Sequence, residues 1–234
     1  MKFQINDKIF KKFPGLNVGI LVCKNINNEG SAEEVIKNIR KREKEIQSQF
    51  NSETLSQNPK INVWREAYKI LGAKPRENRS SVEALYKRAL QGGELRHINK
   101  IVDIYNYISL KHMFPVGGED LDKIQGDIHL TVAEKDEPLV LLLGDKEARS
   151  PHEGEVIYRD EISTICRRFN WREANRTKFT EGTKNAIIVM EGLLPVLRGD
   201  IERVLGETKE LIESFCGGEL SKFILNKDNP EIEF

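Results

Sequence analysis

The alternation of apolar and polar positions divides this chain into two halves of different character. Within Phe13–Lys24, Val18, Ile20 and Val22 alternate with Gly19, Leu21 and Cys23, so both faces are apolar and a strand buried on both sides is expected. Ser31, with Glu34 three residues on, predicts a capping box that opens a helix. The polar stretch Asn51–Lys60, which includes Pro59, reads as a loop. Trp64, Ala67, Tyr68 and Leu71 recur at helical spacing over Val63–Leu71, and Gly72 and Pro75 end that helix. A second capping box, Ser80 to Glu83, opens a helix with Ala84, Leu85, Ala89 and Leu90 along its apolar stripe, stopped by Gly92 and Gly93. Ile98–Met113 is helical again. There Asn99, Asp103 and Asn106 share one face among Ile98, Val102, Tyr105 and Ile108, a stripe that either meets water or lines a pocket.

The second half changes period. Ile128–Ala133, Leu139–Leu143, Glu155–Tyr158, Ser163–Arg168 and Ala186–Glu191 are short, rich in Ile, Val and Leu, and separated by turn residues, which predicts strands. Asp200 is expected to cap a last helix carrying Ile201, Val204, Leu205, Leu211, Ile212 and Phe215, closed by Gly217-Gly218. Helices gathered early and strands late predict an α+β protein rather than a doubly wound sheet. The expected division is an N-terminal strand–helix arm over 1–60, a main domain over 61–220 and a loose polar tail over 221–234.

Charge narrows the partners. With 37 basic and 37 acidic residues the chain has a formal charge of +0, so only a local patch can attract a polyanion. Two stretches qualify. Lys37, Arg40, Lys41, Arg42 and Lys44 stand against Glu43 in the early helix, which is either a solvated face or a nucleic-acid contact. Over Thr164–Lys184, Arg167, Arg168, Arg172, Arg176, Lys178 and Lys184 outnumber Glu173 and Glu181, with Phe169, Trp171 and Phe179 interleaved. Arginines and aromatics in that density can hold phosphates and stack bases. The three cysteines, at 23, 166 and 216, form no close pair, so neither a disulfide scaffold nor a thiolate zinc site is expected. No apolar run reaches the roughly 18 residues of a membrane span, and the opening residues lack the apolar core of a signal peptide. The expectation is a cytoplasmic protein without a membrane partner.

Several chemistries fail on spacing. Asp120-Leu121-Asp122-Lys123-Ile124-Gln125-Gly126 starts like a calcium loop but has Ile124 at a ligand position and no glycine after it. The glycine pairs lack a phosphate-loop context, the four histidines are scattered, and no Gly-x-Ser-x-Gly elbow is present. No metal or cofactor is expected. What remains is the turn Phe114–Asp120, where Gly117 and Gly118 can expose backbone amides beside Glu119 and Asp120.

Ile98-Asn99-Lys100-Ile101-Val102-Asp103-Ile104-Tyr105-Asn106-Tyr107, followed by Pro115 through Asp120 and Asp122-Lys123-Ile124-Gln125-Gly126, resembles the B3/B4 editing domain of the bacterial phenylalanyl-tRNA synthetase beta subunit. The similarity runs from about Val63 to Cys216. Arg79-Ser80-Ser81, Gly126-Asp127-Ile128, Cys166-Arg167-Arg168 with Asn170-Trp171-Arg172, and Thr180 with Thr183 and Asn185 look like a free-standing branch of that family. The resemblance implies a B3/B4-like domain of mixed sheets flanked by helices. It also implies a trans-editing deacylase that hydrolyses the ester of a mischarged aminoacyl-tRNA, an arginine analogue such as canavanine being one candidate amino acid.

On this reading Asn99 and Asp103 hold the substrate's ammonium group or the attacking water, and Gly117 and Gly118 supply amides to the oxyanion, each such donor being worth about 2.7–4 kcal/mol. Arg79, Ser80, Asn106, Glu119, Asp120, Asp127, Asn170, Thr183 and Asn185 form the substrate-binding set, with Glu119 or Asp120 suited to a cationic side chain. Arg167, Arg168, Arg172, Arg176 and Lys178 contact the tRNA. Ser80 and Glu83 are equally explained as a cap. Gly117 stands where the synthetase domain has a turn histidine, and the family's editing glutamate falls near Glu173–Asn175. A non-catalytic module binding tRNA or an amino acid, and a small-molecule ester or amide hydrolase, are the alternatives.

Overall fold

The computed structural model describes residues 1–234. Strand β1 (Lys2–Ile5), helix α1 (Asp7–Lys12) and strand β2 (Asn17–Lys24) open the chain, followed by α2 (Glu33–Gln49), α3 (Pro59–Ile70), α4 (Ser81–Leu90) and α5 (Lys100–His112). Strands β3 (Val116–Asp120), β4 (Ile128–Val132), β5 (Val156–Arg159), β6 (Thr164–Arg167), β7 (Arg172–Glu173) and β8 (Ala186–Gly192) come next. Helix α6 (Arg198–Cys216) and strands β9 (Glu219–Leu225) and β10 (Glu231–Glu233) close it. No helix is long and apolar enough to cross a membrane.

The strands form two sheets, one of four in the order β3-β8-β2-β9 and one of six in the order β10-β1-β4-β5-β6-β7. The six-stranded sheet is mixed, since β1 runs parallel to β4 and antiparallel to β10. The doubly apolar pattern of β2 has a direct cause. Leu21 and Cys23 point into one core, under α2, α4, α5 and α6, while Val18, Ile20 and Val22 point into a second core shared with the six-stranded sheet, α1 and α3. The four-stranded sheet is thus the wall between two cores.

Several expectations change. The segment over 1–60 is not an arm laid on the outside: β2 lies at the centre of one sheet and β1 is an inner strand of the other. The tail over 221–234 is not loose. Val18–Lys24 pairs with Glu219–Leu225, and β10 pairs with β1. Both are edge strands in which only Leu225 is buried, the other side chains being exposed or half-buried, so much of their sequence is polar although their backbones are paired. The turn expected over Phe114–Asp120 is largely strand β3, paired along its length with β8. Leu139–Leu143 makes only single bridges, Val140 to Arg149 and Leu142 to Ala174.

Helix starts also shift. α2 is capped at Ala32 with no side-chain bond, and Ser31 instead donates to Glu33 at 2.8 Å. Asn58 caps α3 and Pro59 is its first residue, where a missing N–H costs nothing. Ser80 does cap α4 by accepting from the Glu83 amide, but the Glu83 carboxylate turns away to Arg65. Asp200 lies inside α6 and accepts from the Leu197 amide.

Candidate active site between two sheet edges

Strands β3 and β7 end their respective sheets, and the two edges meet: the Gly118 amide donates to Glu173 Oε1 across 3.3 Å. Behind this contact lies a cavity of about 460 Å³. Its floor is drawn from both sheets, including Ile128, Tyr158 and Ile165 on one side and Gly117, Glu119 and Ile187 on the other. Its walls are the Ser81, Ala84, Leu85 and Arg88 stripe of α4 and Tyr105 and Asn106 of α5. The stripe recurs at three- and four-residue spacing, so a single helix face meets the cavity.

Three carboxylates face this mostly apolar space. Glu173 is seated against β3 because Gly117 has no side chain: a Cβ there would lie 2.6 Å from Glu173 Oε1. Burial pushes the Glu173 carboxyl up to about 7, and the Gly118 amide pulls it part of the way back. Glu191, at the end of β8, accepts from the Tyr158 hydroxyl at 2.6 Å and from Asn170 Nδ2 at 2.7 Å, yet burial still raises it to about 7. Glu119 is raised well above the usual carboxylate range, first by burial and then by the neighbouring Glu173 charge. Its Oε2 is buried with no hydrogen-bond partner, an unmet acceptor in the cavity floor. Burial also pushes the Cys166 thiol well up, so this cavity-lining cysteine is a neutral wall and not a nucleophile.

Of the residues singled out in the sequence, the cavity gathers Asn106, Gly117, Gly118, Glu119, Asn170 and Arg172. Arg79 lies outside this cavity and drops out of the substrate-binding set, and the others serve the scaffold. Asn99 is buried as the N-cap of α5, accepting from the Val102 amide. Asp103 is buried beside it, 2.5 Å from His97 Nδ1, and accepts from the Ile98 amide, so neither of the two borders the cavity. Asp120 accepts from the Thr183 hydroxyl at 2.7 Å and from the Asp122 amide, while Asn185 donates to Asp122 at 2.8 Å. This network pins the segment before β8 to the end of β3. Asp127 accepts from the Lys2 amide and so anchors β1. Ser80 is a buried cap. The glycine amides are not free either: that of Gly118 is taken by Glu173, and alternation along an antiparallel strand turns that of Gly117 toward β8.

The arginine-rich stretch is neutralised within the chain. Arg167 makes two 2.7 Å bonds to Glu155, with both side chains buried, and Arg168 joins the same carboxylate at 3.4 Å. Arg172 pairs with Asp145 at 2.8 Å, and Arg176 with Asp160 at 2.8 Å and the Lys123 carbonyl at 2.7 Å. Lys178 donates to Asn175. Arg167, Arg168 and Arg172 surround the Trp171 ring at 5.8, 4.7 and 5.5 Å, so that ring is held as a wall of the cavity. In the early helix, Arg40 and Arg42 are likewise bonded to Glu43 and Glu45 and to the Leu95 and Leu110 carbonyls.

Sequence reasoning missed Glu191, Tyr158 and Tyr105. For Glu191 a signal was present: an acid closing the apolar run Ala186–Met190 either caps a strand in water or is enclosed with it.

Comparison with known proteins adds to this geometry. The family model described as the B3/4 domain matches residues 63–213. The phenylalanine–tRNA ligase beta subunit of Bordetella pertussis is 32% identical over 88 residues, covering 38% of this chain and 11% of the relative. That of Aliivibrio fischeri is 34% identical over 86 residues, covering 37% and 11%. That of Colwellia psychrerythraea is 39% identical over 71 residues, covering 30% and 9%. The matched segments span about a tenth of these relatives' length. An N-terminal fragment of the phenylalanyl-tRNA synthetase beta subunit from Pyrococcus horikoshii aligns over 98% of this chain and 53% of its own, with 14% identity and a TM-score of 0.44.

Proposed function

Because the chain belongs to the B3/4 domain family, we propose that it is a trans-editing deacylase that hydrolyses the ester of a mischarged aminoacyl-tRNA carrying a cationic, arginine-like amino acid such as canavanine. The observation that carries this reading is the enclosed carboxylate set, Glu173 and Glu119, at the meeting of two sheet edges.

An aminoacyl ester is an activated bond, so its hydrolysis needs an oriented water and a place for the proton rather than a covalent nucleophile. Glu173 fills that role. Its carboxyl, raised to about 7, is a stronger base than an ordinary glutamate and is ionised in a useful fraction at neutral pH. Gly118 fixes one oxygen and leaves the other to hold water against the ester carbonyl. Asn106, on the cavity wall with no side-chain bond inside the protein, supplies an amide donor to the developing oxyanion, the part first assigned to the glycines. Glu119 receives the cationic side chain: its unpartnered buried oxygen is costly when empty and favourable when a guanidinium meets it. Trp171 and Leu85 sandwich the apolar part of the acylated end.

The test is a panel of labelled aminoacyl-tRNAs. The expected result is catalytic release, fastest for cationic amino acids, with kcat rising to a plateau above about pH 7 as Glu173 ionises. Glu173→Gln should lower kcat by roughly 100-fold or more, as loss of a general base does. Glu119→Gln should raise KM for the cationic substrates alone. Binding of tRNA with no release from any member of the panel would overturn the proposal in favour of a non-catalytic module.

A further inference from the structure

A second depression, of about 370 Å³, lies on an adjoining flank of α4 and has no apolar wall at all. It is lined by Ser52, Glu53, Ser56, Arg65, Arg76, Arg79 and Lys87, four cations against one acid. Arg65 is spoken for by buried Glu83, at 2.7 Å. Arg76, Arg79 and Lys87 have no carboxylate within ion-pair distance, whereas Arg167, Arg168, Arg172 and Arg176 all do. Three unneutralised cations held around one hollow repel each other, in a chain whose acids equal its bases in number. An anion in the hollow relieves that repulsion. Two guanidinium groups with hydroxyls from Ser52 and Ser56 supply the donor types that phosphate oxygens accept from.

Position identifies the anion. Helix α4 turns Ser81, Ala84, Leu85 and Arg88 to the catalytic cavity and Lys87, about 60° round the helix from Ala84 and about 100° from Arg88, to the depression, so the two hollows adjoin the same helix. We infer that the depression between α3 and α4 is the backbone-phosphate site for the RNA strand whose acylated end enters the cavity, in place of the arginine-rich stretch over 164–184. The choice of RNA as occupant rests on the deacylase reading; the site itself rests on the unpaired cations.

The experiment compares the full chain with Arg76→Ala/Arg79→Ala/Lys87→Ala. Arg65 is left intact because it holds buried Glu83. A control of equal charge loss, Lys8→Ala/Lys11→Ala/Lys12→Ala, removes exposed cations from α1. Binding of uncharged tRNA is measured from about 50 to about 200 mM salt, and turnover is measured separately on a phosphate-free aminoacyl-adenosine ester. At roughly 0.7 per single-strand phosphate contact, the triple variant should flatten the plot of log affinity against log salt by about 2 and bind at least about tenfold more weakly at low salt. Its turnover of the phosphate-free ester should equal the parent's, and the control should match the parent in both. Unchanged affinity and slope, an equal loss in the control, or saturation by inorganic phosphate that leaves tRNA binding intact would overturn the inference. A parent that binds tRNA through this site yet never cleaves the ester would remove the deacylase reading and leave the phosphate site standing.

Discussion

At the scale of single residues, what matters in this cavity is where a side chain is missing. Glu173 reaches β3 because position 117 is glycine, and any Cβ there would press on its carboxyl oxygen at 2.6 Å. Gly117 is not in the left-handed backbone region, so alanine is compatible with the strand and the obstacle is the flexible end of Glu173 alone. Gly117→Ala is therefore expected to leave the unfolding free energy within about 0.5 kcal/mol of the parent, read from urea denaturation. It should displace Glu173, cut kcat at least about tenfold and move the pH midpoint of kcat. A parent-like pH profile in a less active variant would show that the glycine serves packing alone. The site residues legible from sequence were those in local motifs, such as Asn106 and Gly117. Asp103 and Asn99 belonged to the same motif, yet their side chains satisfy the start of α5 instead.

At the scale of elements, the hairpin joining β6 to β7 delivers Asn170, Trp171 and Glu173 to the cavity. Its bend places two non-glycine residues, Arg168 and Phe169, in the left-handed region, which is uncommon and costly. Packing holds it there: the fully buried Phe169 ring meets Phe13 and Trp64 edge-on at 5.4 and 5.6 Å. The buried Arg167–Glu155 pair then ties β6 to the start of β5. Arg167→Ala would strip the buried Glu155 carboxylate of both its 2.7 Å bonds and leave it only the longer 3.4 Å contact with Arg168. The expected loss is about 3–5 kcal/mol of stability, read from urea unfolding, with tRNA affinity of the folded variant unchanged. The reverse outcome, intact stability and weakened tRNA binding, would return Arg167 to the RNA interface. A run of cations looks alike whether it binds phosphate or neutralises neighbouring strands, so the sequence reading assigned this one to tRNA.

At the scale of the whole molecule, enclosing carboxylates between two sheets makes stability depend on pH in an unusual direction. Glu173 and Glu191 bind protons more tightly folded, at about 7, than at their ordinary value of 4.5. The folded state therefore holds more protons between those values, and stability falls as pH rises through that window before levelling above about 7. A shift of one unit is about 1.4 kcal/mol, and water at the cavity mouth takes part of this back, so about 1–3 kcal/mol is expected from Glu173. Glu173→Gln keeps the bond from Gly118 while removing the charge. It should match the parent in urea at pH 5 and exceed it by that amount at pH 8; a difference independent of pH would mean that the carboxyl does not titrate in the window.

The sequence by itself determined the helices and most of the strands, the α+β class and the family motifs, because periodicity, caps and short motifs are carried by residues a few positions apart. It did not determine that polar residues after 218 would be edge strands, since an edge exposes its side chains as a loop does. Only the tertiary structure decided which charges are spent and which are free. Glu173 meets Gly118 across 55 positions, Glu191 meets Tyr158 across 33, and Arg176 meets Lys123 across 53. A carboxylate's basicity and a cation's availability are set by what surrounds them in space, and that is fixed when the two sheets close on each other.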